Sequence, residues 1–105
     1  PYSVSFYDQE NIGGRLIRDL DAMEIEIEML VQIPNIKLYG FADREDIVTD
    51  LSLYKDVAHY SSAVNEEMLN CVAEEKGLLT RNNYKEYMER VREFYVNYDY
   101  DSIYK

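Results

Sequence analysis

His59 is the one histidine of the chain, and Asp56 stands three residues before it in Asp56-Val57-Ala58-His59. One turn of backbone can bring that carboxylate beside the ring. An aspartate that accepts the Nδ1 proton fixes the tautomer and stabilises the imidazolium, leaving Nε2 free to deprotonate a hydroxyl nucleophile. Asp56 and His59 are therefore the candidate catalytic pair. Two blander readings stand beside it: a space-filling structural histidine, and an Asp56 paired with Lys55 at the surface for little energy. A single imidazole excludes zinc sites built on two histidines. The single cysteine, Cys71, excludes an intrachain disulfide and a thiolate cluster. The sequence calls for no metal and no cofactor.

Other patterns are explained without a ligand. The glutamates at 24, 26 and 28, with Glu66, Glu67, Glu74 and Glu75, lack the ligand spacing of a calcium loop and read as solvated helix faces. Gly13-Gly14 precedes a helical pattern, yet no Lys-Ser/Thr pair and no dinucleotide fingerprint follow, so it reads as a turn. With 21 acidic against 11 basic residues the chain carries −10, and the basic residues form no stripe that could neutralise a phosphate backbone. Nucleic acid is not an expected partner. No apolar run approaches the length of a membrane span, so this segment is not expected to insert in a bilayer.

The elements that must carry the pair follow from periodicity. Residues 2 to 7 are aromatic and β-branched and predict a strand. Leu16, Leu20, Met23, Ile27 and Leu30 recur at three and four, the face of a helix of about four turns. Pro34-Asn35 stops it, and residues 36 to 41 form a second run of strand length. Strand, helix, strand predicts a right-handed crossover between parallel neighbours, hence an α/β class. A short helical piece follows around Ile47 to Leu51. Ser61 or Ser62 then caps a helix with Val64, Met68, Cys71 and Val72 on its apolar face, ending near Gly77. Thr80 caps a last helix whose inner side is Tyr84, Tyr87, Met88, Val91, Phe94 and Tyr95, a stripe that reads as core. The tail from Tyr98 to Tyr104 mixes tyrosines with acids and is expected to lie against another surface. On this reading residues 1–105 are a single α/β domain, and Pro1, already at the edge of a strand, suggests the C-terminal part of a larger one.

The Asp56-x-x-His59 step, placed before C-terminal helices in Asp50-Leu-Ser-Leu-Tyr-Lys-Asp-Val-Ala-His-Tyr-Ser61, resembles the last conserved block of the SGNH/GDSL hydrolases. These are serine esterases, deacetylases and acyltransferases. The likeness extends to bacterial SGNH-like proteins of uncharacterised substrate and more distantly to the envelope transfer protein for D-alanyl groups, and it takes in Pro1-Tyr2-Ser3 and Asn97-Tyr98-Asp99-Tyr100-Asp101. It implies a partial flavodoxin-like three-layer fold, and Asp56 and His59 as two members of a Ser-His-Asp triad. It further implies an ester- or acetyl-bearing substrate, such as an envelope glycan, and a location at the cell envelope. The family's Gly-Asp-Ser block does not occur here. The nucleophile would then come from a missing N-terminal half, the chain alone would be inactive, and uncovered apolar surface would favour self-association. The alternative is a non-catalytic, acidic protein-interaction domain.

Overall fold

The computed structural model describes residues 1–105 and begins with a helix where composition predicts a strand. Helix α1 spans Val4–Ile12. Its determinant is spacing: Val4, Tyr7 and Asp8 recur at three and four, lie on one helical face and are all buried. Ser3 precedes it in extended conformation, and Gly14, at φ 74°, makes the turn into the next helix. Helix α2 (Leu16–Leu30) follows the predicted periodicity, burying Leu16, Leu20 and Ile27.

Without a first strand there is no crossover. Strand β1 is only Leu38–Tyr39 and pairs antiparallel with β2 (Leu78–Leu79), Leu38 opposite Leu79 and Tyr39 opposite Leu78. The α/β class, the parallel strand-helix-strand unit and the flavodoxin-like three-layer fold are thus corrected to a mainly helical fold with one two-stranded antiparallel ribbon. The apolar run from 36 to 41 is cut short from both sides. Asn35 takes φ 69° and leaves Ile36 and Lys37 exposed. Gly40 closes the ribbon by donating its N–H to the Gly77 carbonyl at 2.9 Å, and a Cβ there would meet the Tyr87 ring at 2.7 Å.

The core lies between α2 and α5 (Tyr84–Asn97), with α1 packed on α2. Helix α5 buries Tyr84, Tyr87, Met88, Val91 and Tyr95 as its spacing predicts, and Phe94 is half-buried. The Tyr7 and Tyr95 rings stack with centroids 3.9 Å apart. Two tyrosines clamp the backbone of one residue: Tyr95 Oη donates to the Ala42 carbonyl at 2.7 Å, and the Ala42 N–H donates to Tyr87 Oη at 3.0 Å. Beyond α5, a 3-10 turn (Tyr100–Tyr104) returns to α1, where the Tyr104 hydroxyl donates to the buried Asp8 carboxylate.

Helix α4 (Ser62–Ala73) starts after Ser61, whose hydroxyl makes no capping bond, and ends before Gly77. Gly77 instead takes φ 84° in the turn into β2. Thr80 anchors a turn ahead of α5, its Oγ1 accepting the Asn82 N–H, while Asn83 holds the cap position. The molecule is a slab of 44 × 29 × 17 Å. With helices about 10 Å across, it is barely two layers thick, and Ile12, Ile25, Met29 and Leu69 are left exposed.

Candidate functional site

After α3 (Glu45–Val48) the chain makes a 3-10 turn at Leu51–Leu53, with Asp50 Oδ1 accepting the Ser52 N–H at 3.1 Å. It then forms a small hairpin. Tyr54 and Tyr60 pair across an antiparallel bridge, Ser61 N–H donates to the Leu53 carbonyl at 2.7 Å, and Lys55 N–H donates to the His59 carbonyl at 2.7 Å. These bonds close the base of a loop over residues 55–59. Three further bonds fasten it to the N-terminus, one of them from the Ser3 N–H to the Val57 carbonyl at 3.3 Å. The Tyr54 hydroxyl donates to the Pro1 carbonyl at 3.0 Å, and the Ser3 hydroxyl donates to the Val57 carbonyl at 2.8 Å. Burial pushes the Tyr54 phenol up to about 12, consistent with its inward position.

Asp56 and His59 meet at the tip of this loop. Asp56 Oδ1 accepts the N–H groups of Ala58 and His59, both at 2.9 Å, and the His59 Nδ1 lies 2.8 Å from each carboxylate oxygen. The backbone bonds form an Asx-type turn, which explains the interval of three. The Ala58 N–H first, and the His59 ring after it, hold the Asp56 carboxyl below its ordinary range. A carboxylate on Nδ1 places the proton on that nitrogen and leaves Nε2 as the lone-pair site. The His59 side chain is 75% exposed and that of Asp56 is 57% exposed. At such exposure the pair contributes orientation rather than stability.

His59 is not sealed in the core, and Lys55 has no carboxylate within ion-pair distance. No side chain of residues 1–105 hydrogen-bonds His59 Nε2. Neither Ser3 nor Ser61 hydrogen-bonds His59: the Ser3 hydroxyl donates to the Val57 carbonyl, and the Ser61 hydroxyl is buried without a partner. The acidic rows of α2 and α4 bring no three acidic, histidine or cysteine side chains together.

Neither family models, nor curated proteins, nor solved structures give a match to this chain. The chemistry of the site therefore stands on its own geometry. No helix is long and apolar enough to cross a membrane.

Beside the loop runs a feature that sequence periodicity does not reveal, an apolar groove of about 500 Å³. Ala58 and Tyr60 line it, and so do Tyr2, Met23, Met68 and the stretch from Leu38 to Ala42. His59, between Ala58 and Tyr60, does not. Alternation along an extended segment puts neighbours on opposite faces, so the loop presents its apolar residues to the groove and its imidazole to the other side. The hairpin itself had a sequence signal, two tyrosines flanking a short polar loop. The groove had none, because its wall comes from seven separate stretches of chain.

Proposed function

We propose that Asp56 and His59 are the orienting acid and the general base of a serine hydrolase or acyltransferase whose hydroxyl nucleophile comes from outside residues 1–105. The observation that carries this reading is the clamped carboxylate. Its Oδ1 is fixed by two backbone N–H groups while both oxygens sit 2.8 Å from Nδ1, and Nε2 is open. The resemblance to the SGNH/GDSL hydrolases supports the assignment at the level of this step, although the antiparallel ribbon here is not the sheet that accompanies the step in that family.

On this reading the steps are those of acyl transfer. Nε2 takes the proton of the nucleophilic hydroxyl as its oxygen attacks the carbonyl carbon of an ester or acetyl group. Asp56 remains ionised and stabilises the imidazolium. Collapse of the tetrahedral adduct breaks the bond to the leaving alcohol, which receives the proton from Nε2. Water, or a second hydroxyl in a transferase, then repeats the attack on the acyl-enzyme and regenerates the serine. An envelope glycan carrying acetyl groups is the substrate class that the resemblance suggests.

The test is turnover of p-nitrophenyl acetate by the natural protein that carries this segment, and by residues 1–105 alone. The short chain should show nothing above free imidazole. In the natural protein His59→Ala should lower kcat by roughly 10³-fold or more. Asp56→Asn should cost less but still heavily, since the asparagine oxygen can keep the turn to Ala58 and His59 while losing the charge. An unchanged rate for His59→Ala would remove the catalytic reading, and hydrolysis by residues 1–105 alone would show that the nucleophile lies among them.

A further inference from the structure

The two-stranded ribbon has an open side. Strand β1 is bonded to β2 alone, and the Gly40 N–H to Gly77 carbonyl bond fixes which residues face β2. In an antiparallel pair, bonded and non-bonded positions alternate, so Leu38 and Gly40 turn their peptide groups to β2 while Tyr39 turns its N–H and C=O away. The Phe41 N–H likewise has no acceptor in the chain. Proteins usually blunt such an edge with charge, proline or a bulge. Leu38-Tyr39-Gly40-Phe41-Ala42 contains neither a charge nor a proline, and all five residues line the apolar groove.

We propose that the free edge of β1 and the groove beside it receive an extended polypeptide strand with an apolar face and basic flanks. Water can satisfy Tyr39 and Phe41 while the groove is open. Any occupant that covers the groove removes that water and must replace its hydrogen bonds, which an extended backbone does and an aliphatic ligand does not. The groove wall is suited to side chains of varied shape, since Met23 and Met68 are unbranched and adaptable.

Charge selects the flanks. Seven of the 11 basic residues are already paired with the chain's own carboxylates: Arg15, Arg18, Lys37, Arg44, Lys76, Arg90 and Arg92. The surplus is acidic, and no charged side chain lines the groove, whose one charge is the Pro1 amino group at its rim. A second copy of the chain would bring another −10 to the same face and is disfavoured by repulsion. A strand with lysines at its ends is drawn in, its apolar centre seated in the groove. This inference is independent of the chemistry proposed for Asp56 and His59.

The experiment titrates the isotope-labelled 105-residue chain with a short peptide of alternating valine and threonine flanked by paired lysines, followed by two-dimensional NMR. Binding should protect the Tyr39 and Phe41 amides from exchange while leaving Leu38 and Gly40 unchanged. N-methylation of alternate peptide nitrogens should weaken binding at least tenfold with the chain untouched, and glutamate flanks should weaken it similarly. Tyr39→Pro removes the outward donor without costing a bond to β2 and should abolish binding. The methylated peptide keeps the test decisive even where that variant misfolds. Absence of binding, affinity indifferent to methylation, or equal affinity for the glutamate-flanked peptide would overturn the proposal. So would Tyr39 protection that grows with protein concentration and no peptide, since the edge would then belong to a second copy.

Discussion

Removing the Tyr95 hydroxyl from α5 should cost more stability than removing the Tyr87 hydroxyl two turns earlier, because of the two tyrosines of the Ala42 clamp only Tyr87 lines the groove. Tyr95 is 0% exposed and donates to the Ala42 carbonyl at 2.7 Å. In Tyr95→Phe the ring still stacks on Tyr7, so the lost quantity is one hydrogen bond, and a buried carbonyl is left without a partner. That penalty is about 1–3 kcal/mol, and full burial puts it toward about 2–3. Tyr87→Phe orphans the N–H of the same residue; that bond is buried too, Tyr87 being 3% exposed, but both residues line the groove, from which a water entering in place of the phenol would hold the cost to about 1 kcal/mol. Urea unfolding of the 105-residue chain should show Tyr95→Phe shifted to a lower midpoint with an unchanged slope. At about 2 kcal/mol the melting temperature falls by roughly 8–16 °C. Tyr95→Phe as stable as the parent, or Tyr87→Phe the more damaging of the two, would refute the reasoning.

Two further outcomes concern pH. The Asp56 carboxyl is held below its ordinary 3.8, so its hold on the loop is complete above that value and is lost as pH falls through the lower folded-state value. The Ala58 and His59 amides should therefore lose their NMR dispersion only below 3.8, and loss well above it would show that Asp56 does not close the turn. At the other extreme, burial pushes Tyr87 and Tyr54 up to about 12 from 10, so stability present below pH 10 should decline between 10 and 12 as the unfolded phenols ionise first. Ionisation of Tyr54 or Tyr87 at 10 before any loss of helix, read as the absorbance difference from Tyr54→Phe and Tyr87→Phe, would contradict this.

What was legible in the sequence was whatever repeated along one helix. Leu16, Leu20 and Ile27, and Tyr84, Tyr87, Met88, Val91 and Tyr95, are buried as their spacing requires, because an amphipathic stripe specifies its own face. The first segment misleads because Tyr2 to Tyr7 has strand composition over fewer residues than two helical turns. Only by extending the window to Asp8, a polar residue, does the three-and-four pattern with Val4 and Tyr7 emerge. Asp8 is buried because Tyr104, at the far end of the chain, donates to it, and nothing local signals that. Once the first strand is lost, the crossover argument has no premise. The run from 36 to 41 then pairs with Leu78–Leu79, two residues that follow a glycine turn and are too few for any period to register. The Asp56 and His59 pair was legible for the opposite reason: an aspartate three residues before a histidine needs only a local turn to meet it.

The loop that carries this pair is held from beneath by Pro1, Ser3 and the Tyr54–Tyr60 bridge, and its inner face is a wall of the groove. A strand seated on β1 would pack against Ala58 and Tyr60 while the imidazole between them looked outward. A nucleophile that meets Nε2 must therefore arrive over the outer side of the loop, on a different segment from the strand that fills the groove or on its continuation around the hairpin tip. An exposed base is a weak catalyst when its imidazolium is screened by water and its partner hydroxyl is unplaced. The clamped turn at Asp56 solves orientation within the chain. On the proposed reading, exclusion of water would fall to whatever covers the outer face of the loop, and the open groove behind it offers a surface on which such a cover could be anchored.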